Sequence, residues 1–79
     1  MRFFFDTQDG EIESRDEEGL ELPDADAARR LALSSLPDMA DDALPNGDHQ
    51  KFSVVVRTED GALVYRADLT LRGRWMNRS

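Results

Sequence analysis

Apolar residues recur at every second position, at 52, 54 and 56 and again at 65, 67 and 69, within the stretches 51–58 and 62–72. Both stretches are rich in the β-branched and aromatic residues that suit a pleated strand. Asp60-Gly61 lies between them, and Asp-Gly favours a two-residue hairpin loop because both loop positions need positive φ. With that loop, Val56 faces Tyr65, Val54 faces Ala67 and Phe52 faces Leu69 on one side of the ladder. On the other side Arg57 faces Val64, Val55 faces Arg66 and Ser53 faces Asp68. The first set is wholly apolar and the second is mixed, a segregation that a one-residue slip would destroy.

From Ala25 to about Leu44 the apolar spacing becomes helical. Ala28, Ala32, Leu36, Met39 and Ala43 fall on one stripe, flanked by Leu31 and Ala40, with Arg30, Ser34, Asp38, Asp41 and Asp42 opposite. Asp24 is placed to cap the first turn, and Asp26 suits the positive end of the helix dipole. Pro37 interrupts the pattern, because it has no N–H for the Leu33 carbonyl and its ring crowds that turn. A kink, or two short helices with Pro37 opening the second, is expected there. Pro45-Asn46-Gly47 supplies the stop.

Residues 2–7 read as a strand with Phe3 and Phe5 on one face and Phe4 on the other. Asp9-Gly10 turns it into a weaker strand near residues 11–14, where only Ile12 is apolar and Asp6 would face Glu13. Residues 16–19 make a further turn, and Leu20 and Leu22 pack ahead of Pro23. The order is ββαββ. It predicts an α+β domain over residues 1–72, with an antiparallel sheet of three or four strands and one kinked helix across one face. Residues 73–79 form a basic C-terminal tail. Ala28, Leu31, Ala32, Leu36 and Met39 are expected to meet Phe3, Phe5, Val54, Val56, Tyr65 and Leu69, with the first and last strands as neighbours.

Length and charge narrow the function classes. At 79 residues the chain holds one domain and a small core, so stability calls for good packing or a partner subunit. There is no cysteine for a disulfide or thiolate site, and the single His49 cannot build a histidine cage. The apolar run at residues 3–5 is too short for a signal-peptide core, and no stretch nears the ~20 residues of a membrane span, so a cytoplasmic location is expected. Net charge is −7, unevenly placed: residues 1–48 hold 14 acids and 4 bases, residues 49–79 hold 3 acids and 6 bases. The acidic part repels phosphate backbones, and only the C-terminal end relaxes that objection.

Several segments in order carry a family likeness: Arg2-Phe3-Phe4-Phe5-Asp6, Asp16-Glu17-Glu18-Gly19-Leu20-Glu21-Leu22-Pro23-Asp24, Ala27-Ala28-Arg29, Asp42-Ala43-Leu44-Pro45 and the Asp60-Gly61 hairpin. Together they resemble a family of short bacterial domains of unknown function, common in soil and plant-associated bacteria, over about residues 2–71. The resemblance implies no activity, cofactor or catalytic residue. Pro37 and the segment from Gly73 onward are less typical of it.

The carboxylate groups at Asp6, Asp9, Glu11 and Glu13, and at Asp16, Glu17, Glu18 and Glu21, lack the spacing of a calcium loop and read as solvated turns. Ser34 and Ser35 lie in the helix, where a hydroxyl bonds water or a preceding carbonyl, and nothing in the spacing brings them to His49. No Gly-rich phosphate loop is present. Arg29 lies at the edge of the apolar stripe, its stem over apolar surface and its head within reach of a carboxylate. In the tail, Arg72, Arg74 and Arg78 interleave with Trp75 and no acid. That composition suits stacking on single-stranded nucleic acid, a protein contact, or a disordered end.

These features predict a non-enzymatic protein-interaction module whose partner is a second copy of the chain, in a homodimer, or another protein, with no catalytic, cofactor-binding or metal-binding residue. Arg72, Arg74 and Trp75 in the tail, and Phe4, Val55 and Val64 on the sheet face away from the helix, are the candidate partner contacts. The alternative is a small regulator touching nucleic acid through its Arg/Trp tail; a small enzyme ranks third.

Overall fold

A computed structural model of the chain describes residues 1–43 and 47–77. The order is β1 (Arg2–Asp9), β2 (Ile12–Ser14), β3 (Leu20–Glu21), α1 (Ala25–Ala43), β4 (His49–Thr58) and β5 (Leu63–Arg72). All observed strand pairs are antiparallel, in the order β2-β1-β4-β5, with β3 also on the outer edge of β1. The fold is α+β, and the described sheet has five strands. The additional one is β3, which pairs Phe3 with Leu20 and Arg2 with Glu21.

The first strand lies beside β4 rather than beside the last strand, contrary to expectation. Composition explains this. On the side facing the helix β4 carries Phe52, Val54 and Val56, all fully buried, and so takes the centre of the sheet. β5 carries Arg66, Asp68, Thr70 and Arg72 on its other face and goes to the edge. Helix α1 crosses the apolar face with Ala28, Ala32, Leu36 and Ala40, and Phe3 completes the buried cluster. Leu22, Phe5, Met39, Tyr65 and Ala67 pack around it. Leu31 and Leu69 do not enter this core as expected; each is 38% exposed. With alanine at three of its four buried positions, the helix leaves the space beneath it to Phe3 and Phe52.

Asp24 caps α1 as its sequence position implies, its Oδ1 accepting from the Ala27 N–H at 2.8 Å. The helix runs unbroken through Pro37, so the division into two short helices does not occur. Pro37 and Leu33 both lie on the exposed side, where water can satisfy the carbonyl that proline leaves unbonded. Leu44, Pro45 and Asn46, where the helix stop is expected, lie outside the described residues, as do Arg78 and Ser79.

The β4–β5 ladder has the expected register from Phe52↔Leu69 to Val56↔Tyr65. Beyond it the register shifts, and Arg57 faces Leu63 instead of Val64. The loop is three residues, Glu59-Asp60-Gly61, closed by the Thr58 N–H on the Ala62 carbonyl at 2.8 Å. Gly61 takes φ 91, the left-handed position that ends such a three-residue loop. Val64 is then the extra residue of a bulge that restores the apolar register.

A similar correction applies to the first hairpin. Its loop is Gly10-Glu11, so Gln8, not Asp6, faces Glu13. Asp9 stays in the strand, opposite Phe52 and bonded by the Gln50 side-chain amide.

Candidate interaction surface

Residues 15–19 bulge outward between β2 and β3, five residues facing only Phe4, Phe5 and Asp6. Asp16 holds this bulge in place. Its Oδ2 accepts from the Phe5 N–H at 3.0 Å, and its Oδ1 accepts from the Glu18 and Gly19 N–H groups at 3.1 Å each. Gly19 sits at φ 72 with Phe4 and Arg2 against it, and a Cβ there would fall 2.9 Å from Phe4 Cε2. Only glycine fits that backbone and that space.

Beside the bulge, on the sheet face away from the helix, Arg57 donates from Nε to Asp6 Oδ2 at 2.8 Å and from Nη2 to the Asp16 carbonyl at 2.6 Å. The Asp16 N–H donates to Asp6 Oδ1 at 2.9 Å, and the Arg57 guanidinium lies 4.6 Å from the Phe4 ring centroid. Burial pushes the Asp6 carboxyl up, but the Arg57 hydrogen bond, the Asp16 N–H and the charges of Arg57 and Arg15 together outweigh it, leaving the group below its usual 3.8. Asp16 is likewise lowered: burial raises it, and the three main-chain amides and Arg57 more than offset that.

An open hollow of about 360 Å³ lies on the same face. Asp6, Gln8, Arg15, Ser53, Val55 and Arg66 are among the residues lining it. Ser53 Oγ donates to Asp68 Oδ1 at 2.6 Å and accepts from Arg66. His49 is four residues along β4, roughly 13 Å of extended strand away, out of reach of that hydroxyl. Ser34 and Ser35 bond the carbonyls of Leu31 and Ala32, as expected of helix serines. Asp6, Asp16 and Asp68 are all lowered by the hydrogen bonds and charges around them, an arrangement that fixes these side chains in place.

The sheet's two edges differ. The outer edge of β1 is covered by two short strands and the Asp16-held bulge, whereas no described residue pairs with the outer edge of the ten-residue β5. The hydrogen-bond phase of β5 follows from its end. The Gly73 N–H donates to the Asp48 carbonyl one step beyond the His49↔Arg72 pair. Antiparallel ladder bonds alternate, so Leu71, Leu69, Ala67 and Tyr65 direct their main-chain groups toward β4. Arg72, Thr70, Asp68 and Arg66 direct theirs outward.

The six sequence-predicted contact residues are not gathered into one patch. Phe4 lies beneath Arg57, half-buried, and Val55 is half-buried in the wall of the hollow. Val64, 39% exposed, and Arg72 sit near opposite ends of β5. Arg74 and Trp75 follow the strand, Trp75 at 71% exposed. Arg29 lies over Tyr65, 6.0 Å from the ring centroid. The Asp6–Arg57 pair is not evident in the sequence, its partners being 51 positions apart; a charged residue closing each apolar run, Phe3-Phe4-Phe5-Asp6 and Val54-Val55-Val56-Arg57, is the one signal that could have found it.

Among the described residues, no helix is long and apolar enough to cross a membrane, and no three metal-ligating side chains come together. No curated protein and no solved structure matches the chain. A family model does match, across residues 2–70, described as a domain of unknown function, DUF6894. With that match spanning all but the first residue and residues 71–79, the chain belongs to this family of domains of unknown function.

Proposed function

We propose that the domain is a non-enzymatic protein-interaction module of the cytoplasm that works by adding an extended strand to the outer edge of β5. The observation that carries this reading is the asymmetry of the sheet: one edge is broken into short, covered pieces, and the other presents a long run of outward main-chain groups. Such an edge supplies affinity through main-chain hydrogen bonds, and the side chains on either face of the added strand supply selectivity. The charged network on the sheet face keeps that surface polar, so the edge rather than the face is the contact.

Thr70→Pro tests this. By the hydrogen-bond phase above, the Thr70 N–H points outward, so proline removes a donor from the edge and none from the β4 ladder. Ten-residue peptides selected on sparsely immobilised domain, where copies do not meet, are expected to bind the Thr70→Pro protein at least tenfold more weakly, with its thermal midpoint held within a few degrees. Binders indifferent to Thr70→Pro would place the interaction elsewhere.

A further inference from the structure

We infer that the strand taken up by the β5 edge is β5 of a second copy of this chain, paired antiparallel about a two-fold axis at Ala67. This rests on the edge reading above and names its occupant. A two-fold axis normal to the sheet must place one residue opposite its own counterpart, so the register has few choices. Charge and the length of strand paired decide among them. Centring on Arg66 sets two guanidinium-bearing residues face to face, and centring on Asp68 does the same with two carboxylates. Centring on Leu69 sets Arg66 opposite Arg72, and centring on Thr70 sets Asp68 opposite Arg72 but pairs only residues 68–72 of each strand. Centring on Ala67 sets Arg66 opposite Asp68 of the second copy, twice over by symmetry, and Tyr65 opposite Leu69 on the helix side.

The hydrogen-bond phase agrees with that register. Arg66 and Asp68 are the residues whose main-chain groups point outward, so they meet as a bonded pair, while Ala67 meets its counterpart as a non-bonded pair. The small alanine suits this point, where opposed Cα atoms approach most closely. Each copy already joins Arg66 Nη2 to Asp68 Oδ1 at 3.2 Å, so the charges stand on one face, ready to be shared across the axis. The Val64 bulge ends the regular edge on one side, and the short strands guard each sheet's far edge, so association stops at two copies.

Three measurements on the full chain test the inference together. Light scattering at ~100 µM is expected to give twice the single-chain mass; the mass of one chain at that concentration overturns the proposal. Arg66→Asp and Asp68→Arg, each of which sets like charges across the axis, are expected to weaken the dimer at least tenfold. The double exchange Arg66→Asp with Asp68→Arg is expected to restore it to within a few-fold. The chain has no cysteine, so Ala67→Cys introduces a unique thiol at a Cα separation suited to a disulfide. Ala67→Cys is expected to form a covalent dimer on mild oxidation and Thr70→Cys is not; the reverse result contradicts the register.

A monomer whose peptide binding still depends on Thr70 discards the second copy and keeps the edge. A dimer indifferent to both charge reversals and to Thr70→Pro discards both.

Discussion

Asp16 satisfies three main-chain N–H groups with one carboxylate while its own N–H bonds Asp6. Its replacement by alanine leaves the part-buried Phe5 amide without an acceptor and frees the bulge that covers the β1 edge. Asp16→Ala is expected to lower unfolding free energy by about 2 kcal/mol, read from urea midpoints, since hydrogen bonds to a charged group contribute about 1.5–3 kcal/mol. A change below about 0.5 kcal/mol would show that solvent replaces the carboxylate at no loss. The pH dependence has a definite sign. Asp6 and Asp16 titrate below their ordinary 3.8 in the folded chain, so the unfolded chain takes up protons first on acidification. Their contribution is complete above about pH 4 and is lost as pH falls through the folded values. Thermal midpoints should fall steeply from pH 4 to 2, and less steeply in Asp6→Asn. A turn at residues 16–19 was legible, but its Asp16 carboxylate read as solvated rather than as the acceptor of three amides. Arg57 as the partner of Asp6 was not legible, because only the pairing of β1 with β4 brings them together.

At the scale of elements, the sequence carried the strand faces further than the strand order. Apolar Phe52, Val54 and Val56 at every second position placed β4 correctly against β5 over that stretch, since a slip would bury Arg66 and Asp68. The same pattern left the bulge at Val64 unread, because the two-residue and three-residue loops differ only in whether Glu59 joins the turn. Helix α1 gives the opposite lesson. Pro37 reads locally as a breaker, but tertiary burial of Ala32, Leu36 and Ala40 on one face holds the helix through it. Pro37→Ala is therefore expected to stabilise the domain. Restoring the N–H and relieving the ring gains up to about 3 kcal/mol. Loosening the unfolded chain takes back about 0.4–1 kcal/mol. Chemical denaturation should show a net gain of about 1–2 kcal/mol; a loss would mean that the proline is better accommodated than a helix interior allows.

The whole molecule is elongated. Its described residues extend over 55 × 21 × 18 Å, with a radius of gyration of 14.8 Å against the roughly 12 Å usual for a chain this long. A single helix over one sheet face leaves much apolar surface accessible, including Leu63, Leu69 and Trp75. A partner strand along β5 extends the sheet and shields its last exposed ladder, which is how a domain without disulfides gains stability from association. The edge was only partly visible in the sequence: two strands in a hairpin always leave edges, but which one stays bare depended on β1 choosing β4. Amide hydrogen exchange at residue resolution tests this account most directly. If a strand docks on β5, the outward amides of Arg66, Asp68 and Thr70 gain protection as protein concentration rises from ~1 to ~500 µM, a range spanning weak to firm association. The amides of Ala67 and Leu69, already bonded to β4, change far less. Outward amides that exchange at unprotected rates across the whole range would contradict it.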